Sequence, residues 1–252
     1  MSSARTASLA DLRQQIEGIE RVQARSRTVL PFHVPAIDGL LPGGGLALGA
    51  LHEVAGGAAG AVDGAAAVAF AASIAARTGG KVLWCFCQRD LFEPALARAG
   101  LGEDQVVYFQ ARDEADLLKG FEDALKHGGP TAVVGELSSF KQVASQRLQL
   151  AAEATGTMAI ALRRWRKPVD ARDFGMQTAA FTRWRVTELP SERLPVRGVG
   201  RARWQLELMR CRGGRTADFE VEASNAKGLI DIPALLADGP EAAGHGFGRA
   251  VS

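Results

Sequence analysis

Between Ala36 and Ala76 the chain lays down a glycine turn, a short apolar strand, a second glycine-rich loop and an apolar helix. The turn is Leu40-Leu41-Pro42-Gly43-Gly44-Gly45 and the strand Leu51-His52-Glu53-Val54. The loop carries Gly56, Gly57, Gly60 and Gly64, and the Ala, Val, Phe and Ile run to Ala76 is the helix. Strand, glycine loop and helix form the layout of a phosphate-binding loop. Backbone N–H groups and the positive end of the helix converge on one spot, and both favour an anion.

The side chains that do chemistry in such a loop are missing. A working loop reads G-x-x-x-x-G-K-[ST], with Lys on the phosphates and Ser/Thr on Mg²⁺. With Gly60 as the second glycine, Ala61 and Val62 stand in the Lys and Ser/Thr places; with Gly64, Ala65 and Ala66 do. No Lys or Arg lies between Arg27 and Arg77. Gly56, Gly57, Gly60 and Gly64 therefore mark a degenerate loop, and the reading calls for no cofactor, no metal and no catalytic residue.

Downstream, strands and helices alternate. Strands are expected at Lys81 to Cys87, Gln105 to Phe109, Ala132 to Leu137 and Met158 to Leu162. Helices are expected at Leu91 to Ala99, Asp113 to Lys126 and Phe140 to Thr155. This alternation predicts an α/β fold, a mostly parallel sheet with helices on both faces. Its ligand crevice lies at the C-terminal ends of the strands. From Thr182 the pattern becomes alternating apolar and polar, in Trp184 to Leu189, Arg203 to Arg210 and Phe219 to Ala223. With the turn at Arg212-Gly213-Gly214, the last two make an antiparallel hairpin that closes the sheet.

The ends read differently from the core. Leu9, Leu12, Ile16, Ile19 and Val22 recur every three or four residues, one face of an N-terminal helix. That stripe either folds back on its own core or docks on another chain. After Pro233 the residues are Ala, Gly, Asp and Glu with few apolar anchors, which predicts a loose tail. The expected organisation is a helical arm over 1–28, a core over 29–227 and a tail over 228–252. Cys85, Cys87 and Cys211 have neither disulfide nor zinc spacing. There is no signal peptide and no membrane-length apolar run, so a cytoplasmic protein without membrane contact is expected.

A net charge of +2 conceals an asymmetry. Arg163 to Arg215 hold 14 Lys and Arg against 5 Asp and Glu, so the remainder of the chain is net negative. Arg163, Arg164, Trp165, Arg166 and Lys167 leave a core strand together, and cations beside an aromatic are the composition of a single-strand nucleic-acid binder. Arg183, Arg185, Arg197, Arg201 and Arg203 extend the positive field. The alternative is a solvated face, or one that meets an acidic protein.

The segment from Ile37-Asp38 through the glycines before Leu46 to the strand Leu51–Val54 resembles the start of the RecA/Rad51 ATPase core. Phe32-His33-Val34-Pro35-Ala36-Ile37-Asp38 and Gln146-Arg147-Leu148-Gln149-Leu150-Ala151-Ala152-Glu153 are most similar to the ImuA family, across roughly Leu9 to Pro233. The resemblance implies a RecA-like core closed by its hairpin. It also implies service in DNA-damage-induced mutagenesis with ImuB, RecA, an error-prone replicative-type polymerase and single-stranded DNA, with self-association through the arm. Relatives are sometimes described as SulA-like cell-division inhibitors. The catalytic positions of a RecA-type ATPase are altered. Arg89 stands at the place of the water-activating carboxylate, with Asp90 beside it, and Asp90 is expected to cap the helix that follows. Glu136 stands at the metal position, and Leu162-Arg163-Arg164 replaces the polar sensor. Only Leu137-Ser138-Ser139 is left where the first DNA-binding loop would emerge. The expectation is a non-catalytic RecA-like adaptor, with a DNA-stimulated ATPase and a cell-division inhibitor as the alternatives.

Overall fold

A computed structural model describes residues 27–57, 60–165, 174–191, 198 and 200–233. Strand β1 (Val29–Leu30) leads into a single helical turn, α1 (Pro35–Asp38), and β2 (Leu46–Ala47) pairs back on β1. This two-stranded sheet was not foreseen from the sequence, because two residues per strand carry no periodicity. The segment from Phe32 to Asp38 has a structural task. The Asp38 carboxylate accepts the backbone N–H groups of Phe32 (2.7 Å) and Val34 (3.2 Å), and so ties off the turn. That fixes Phe32 against Phe70 and Trp184, with ring centroids 6.0 and 5.6 Å away. At Gly45 a Cβ would stand 2.6 Å from the Leu30 carbonyl, so β1 and the glycine turn can cross only where no side chain exists.

The main body follows as β3 (Leu51–Gly56), α2 (Ala61–Ala76), β4 (Val82–Phe86), α3 (Glu93–Arg98), β5 (Val106–Gln110), α4 (Glu114–His127), β6 (Ala132–Leu137), α5 (Gln142–Thr155) and β7 (Met158–Arg163). Strands β8 (Thr182–Leu189), β9 (Arg203–Cys211) and β10 (Ala217–Glu222) complete it. One eight-stranded sheet runs β5-β4-β6-β7-β3-β8-β9-β10. Its first six strands are parallel; β9 and β10 are antiparallel and close the edge as a hairpin. This is the expected architecture.

Alternation along each strand builds two cores. Val54, Trp84, Val134, Ile160, Leu162 and Trp184 face α2. Leu51, Cys85, Val133, Ala159 and Ala161 face α4 and α5. Helix α2 is apolar nearly all round, and from Ala66 to Ala76 only Ala69 is not fully buried. Its alanines let it lie close on the sheet, with Phe32 packed beside the contact between Phe70 and Trp184. Helix α4 begins at Asp113, whose side chain accepts the Asp116 N–H, and ends at Gly128 in the left-handed conformation.

One expectation needs correction here. The helix after β4 spans only Glu93–Arg98, and Phe92, not Asp90, stands at its N-cap. Contacts with the core are also seen at 230 and 231. Ile230 is buried with the α2-side cluster, and Asp231 bridges Glu222. Leu9, Leu12, Ile16, Ile19 and Val22, and the tail after Pro233, lie outside the described residues. Among the described residues no helix is long and apolar enough to cross a membrane.

Candidate functional site: a glycine cleft and the basic end of β7

The glycine loop leaves the C-terminal end of β3, in the middle of the parallel sheet. Gly64 lies inside α2 and Gly60 is the residue before its first turn, so Ala61 and Val62 begin the helix directly after the loop. The four glycines are not equivalent. A Cβ on Gly57 would fall 1.7 Å from Thr187 Oγ1, and one on Gly56 would lie 3.0 Å from the Asp63 carbonyl. Packing against β8 and α2 therefore demands these two. A Cβ on Gly60 or Gly64 would meet nothing within 4 Å. Asp63, in the first turn of α2, accepts the Glu188 N–H at 3.0 Å and ties the helix start to β8.

In front of the loop lies a cleft of about 560 Å³. Gly56, Gly60, Ala61, Gly64 and Ala65 form one wall; Asp90, Arg163, Arg164 and Trp165 form the other. Room for a nucleotide exists. Among the described residues the charges for one do not. No Lys or hydroxyl rises from the loop or the start of α2, and the cation facing it, Arg164, is engaged. Its Nη1 donates to Glu136 Oε2 at 2.7 Å and to Asp90 Oδ1 at 3.0 Å. Glu136 is nearly buried and accepts Trp84 Nε1–H at 2.8 Å through its other oxygen. Burial pushes the Glu136 carboxyl above the usual carboxylate range while Arg164 pulls it back. A Mg²⁺-nucleotide needs a phosphate-neutralising cation and a metal-binding oxygen, and the residues present do not fit it. Arg89 is exposed in the loop after β4.

The three residues that end β7 and follow it diverge. Arg163 points into the sheet, where Nη1 donates to Glu53 Oε1 at 2.9 Å and Nη2 to the Ser138 carbonyl at 2.8 Å. Arg183 Nε meets the other Glu53 oxygen at 2.8 Å, and Thr178 Oγ1 donates to that oxygen at 3.2 Å. The Glu53 and Arg163 side chains are wholly buried and Arg183 nearly so. Arg164 turns the opposite way, into the cleft. Trp165 donates its Nε1–H to the Ser138 carbonyl at 3.0 Å, and its ring lies edge-on to Phe174, 5.1 Å away.

The described residues of the basic stretch are thus each engaged within the fold. The Arg163 guanidinium is buried against Glu53, Arg164 is engaged by two carboxylates, and Trp165 is fastened at its edge and against Phe174. Arg166 and Lys167 lie outside the described residues. In the wider positive field the described arginines are paired as well: Arg183 with Glu53, Arg185 with Glu207, Arg201 with Glu222, and Arg203 with Glu220, while Arg197 lies outside the described residues. Sequence reading missed Glu53, the anion that two of these arginines share. The available signal was a carboxylate inside an otherwise apolar strand that needs buried cations opposite it. Strand register supplies them, with Glu53 beside Arg183 on β8 and Ala55 beside Arg163 on β7.

A six-strand parallel sheet closed by an antiparallel hairpin, with a glycine loop at the head of a central strand, defines a RecA-type α/β protein. The crystal structure of the RadB recombinase superposes with a TM-score of 0.55 over 81% of this chain and 99% of that one, at 16% identity, which is a likeness of fold. No protein-family model matches the sequence. Protein ImuA of Caulobacter vibrioides, from strain NA1000 / CB15N and from strain ATCC 19089 / CIP 103742 / CB 15, is 39% identical over 218 residues. That match covers 81% of this chain and 88% of the relative. The chain belongs to the ImuA family.

Proposed function

We propose that this chain is a non-catalytic RecA-like adaptor in DNA-damage-induced mutagenesis. It works in the cytoplasm with ImuB and an error-prone polymerase, and links them to RecA or damaged DNA. Family membership supports the setting. One observation carries the non-catalytic part: the guanidinium of Arg164 holds both Glu136 and Asp90, beside a glycine loop that has no Lys. Phosphoryl transfer depends on positioning and charge neutralisation, and a loop without cation or hydroxyl supplies neither.

The test is a pull-down of purified chain against ImuB and RecA, with and without single-stranded DNA, run beside an ATP-turnover assay. Binding to ImuB without ATP turnover is the expected result. DNA-stimulated turnover that disappears in Glu136→Ala would replace the adaptor reading with an ATPase acting at lesions.

A further inference from the structure

The engagement of Arg164 explains more than the absence of a reaction. Asp90 follows β4 and Glu136 ends β6, two neighbouring strands, and both carboxylates reach one nitrogen of one side chain that follows β7. Two carboxylates converging on a single positive centre at the mouth of a glycine cleft is the arrangement in which a hard divalent cation is held. Here the positive centre is covalently part of the chain. We infer that Arg164 is a built-in counter-ion that takes the place of a divalent cation, so that the cleft accepts neither Mg²⁺ nor a Mg²⁺-nucleotide and the fold is complete without a ligand.

Three features support this. The second Glu136 oxygen accepts Trp84 Nε1–H, so that carboxylate is held by a donor on each oxygen and is oriented toward Arg164. A guanidinium is permanently charged and weakly hydrated, which suits it to a partly buried pair better than an ammonium. Arg163 and Trp165, on either side, both bond the Ser138 carbonyl and hold the Arg164 backbone in position. The Arg164 N–H also donates to the Leu137 carbonyl at 3.1 Å.

The inference rests on the non-catalytic reading, and its test separates the two. Thermal unfolding of the full chain is followed in EDTA, in millimolar Mg²⁺ and in Mg²⁺-ADP. The wild type, Arg164→Met and Arg164→Met/Glu136→Gln are compared. The wild type should unfold at one temperature in all three conditions. Arg164→Met leaves a nearly buried carboxylate uncompensated, and its Tm should fall by about 5–10 °C in EDTA. Mg²⁺ should restore part of that loss. The double variant lacks the stranded charge; it should recover without metal and ignore Mg²⁺. If Arg164→Met does not fold, a folded, Mg²⁺-indifferent double variant carries the same conclusion, and an unfolded one overturns it. Arg164→Met that loses stability yet ignores Mg²⁺, or that matches the wild type, also overturns it. A wild type stabilised by Mg²⁺-ADP without ATP turnover would sink this inference alone and leave the adaptor reading standing. ATP turnover by the wild type would sink both.

Discussion

His52 lies in a relay of four groups buried under β8. Trp184 Nε1 donates to Thr182 Oγ1 at 2.9 Å, and Thr182 Oγ1 contacts His52 Nδ1 at 2.8 Å. His52 Nε2 contacts the Ala47 carbonyl at 2.9 Å. A carbonyl only accepts, so Nε2 carries the hydrogen and Nδ1 accepts from the threonine hydroxyl. Every member is satisfied only while the imidazole is neutral. Protonating Nδ1 would take away the acceptor of the Thr182 hydroxyl hydrogen and place a charge in a buried site. Burial lowers the His52 pKa from 6.5 to about 4, and the Ala47 carbonyl opposes that only in part. Below pH 6.5 the unfolded chain gains a proton that the folded chain refuses, so stability falls with pH until about 4 and no further on this account. The slope is about 1.4 kcal/mol per pH unit and the full effect about 3 kcal/mol. Urea unfolding of the wild type and His52→Gln between pH 7 and 4.5 should show the wild type losing stability faster by about that slope. Parallel curves would mean that His52 is not held neutral. Burial likewise pushes the Cys85 thiol up to about 12 and Cys211 to about 11, which disfavours their thiolates.

Among the elements, β3 carries most of the organisation. It hydrogen-bonds β7 on one side and β8 on the other, and Glu53 joins all three through Arg163 and Arg183. Glu53→Gln keeps the shape and leaves two buried guanidinium groups facing a neutral amide. Stranding buried charge in this way costs about 3–5 kcal/mol, which equilibrium unfolding in urea would read directly. A loss below about 1 kcal/mol would show that the arginines find other acceptors there. The strands and helices around β3 were legible because their residues alternate, or recur at helical spacing, strongly enough to fix type and order. Ala132–Leu137 ends where the pattern ends, and Asp113 and Gly128 bracket α4 as capping residues should. The short helix after β4 was overread because Leu91 and Phe92 are apolar; Leu91 packs on the core while Phe92 stays exposed. The site was less legible. Missing groups in the glycine loop can be read along one chain. Which carboxylate meets which arginine depends on strand order, and Glu53 lies 110 residues from Arg163 in sequence.

At the scale of the whole molecule, much of the described positive charge after β7 is engaged within the fold. Most described arginines there neutralise carboxylates on the sheet or brace its edges, which leaves attraction to a polyanion to the other basic groups. Arg166 and Lys167 remain the candidates for contact with single-stranded DNA. Arg163 and Arg164 are unsuitable for testing it, since replacing either removes the partner of a buried or nearly buried carboxylate and weakens the fold. Trp165→Ala has the same defect, because it removes the Ser138 hydrogen bond and the Phe174 contact together. The informative variant is Arg166→Ala/Lys167→Ala, titrated against a labelled oligonucleotide at several salt concentrations. Each phosphate contact contributes about 0.7 to the log–log slope for a single strand, so two lost contacts should flatten it by about 1.4. The expected result is weak, salt-sensitive binding by the wild type and a flatter dependence for the double variant at unchanged Tm. An unchanged slope would place the DNA contact elsewhere or in a partner. A wild type that binds no oligonucleotide even at low salt would assign Arg166 and Lys167 to an acidic protein surface, and loss of ImuB or RecA capture by the same variant would identify which one.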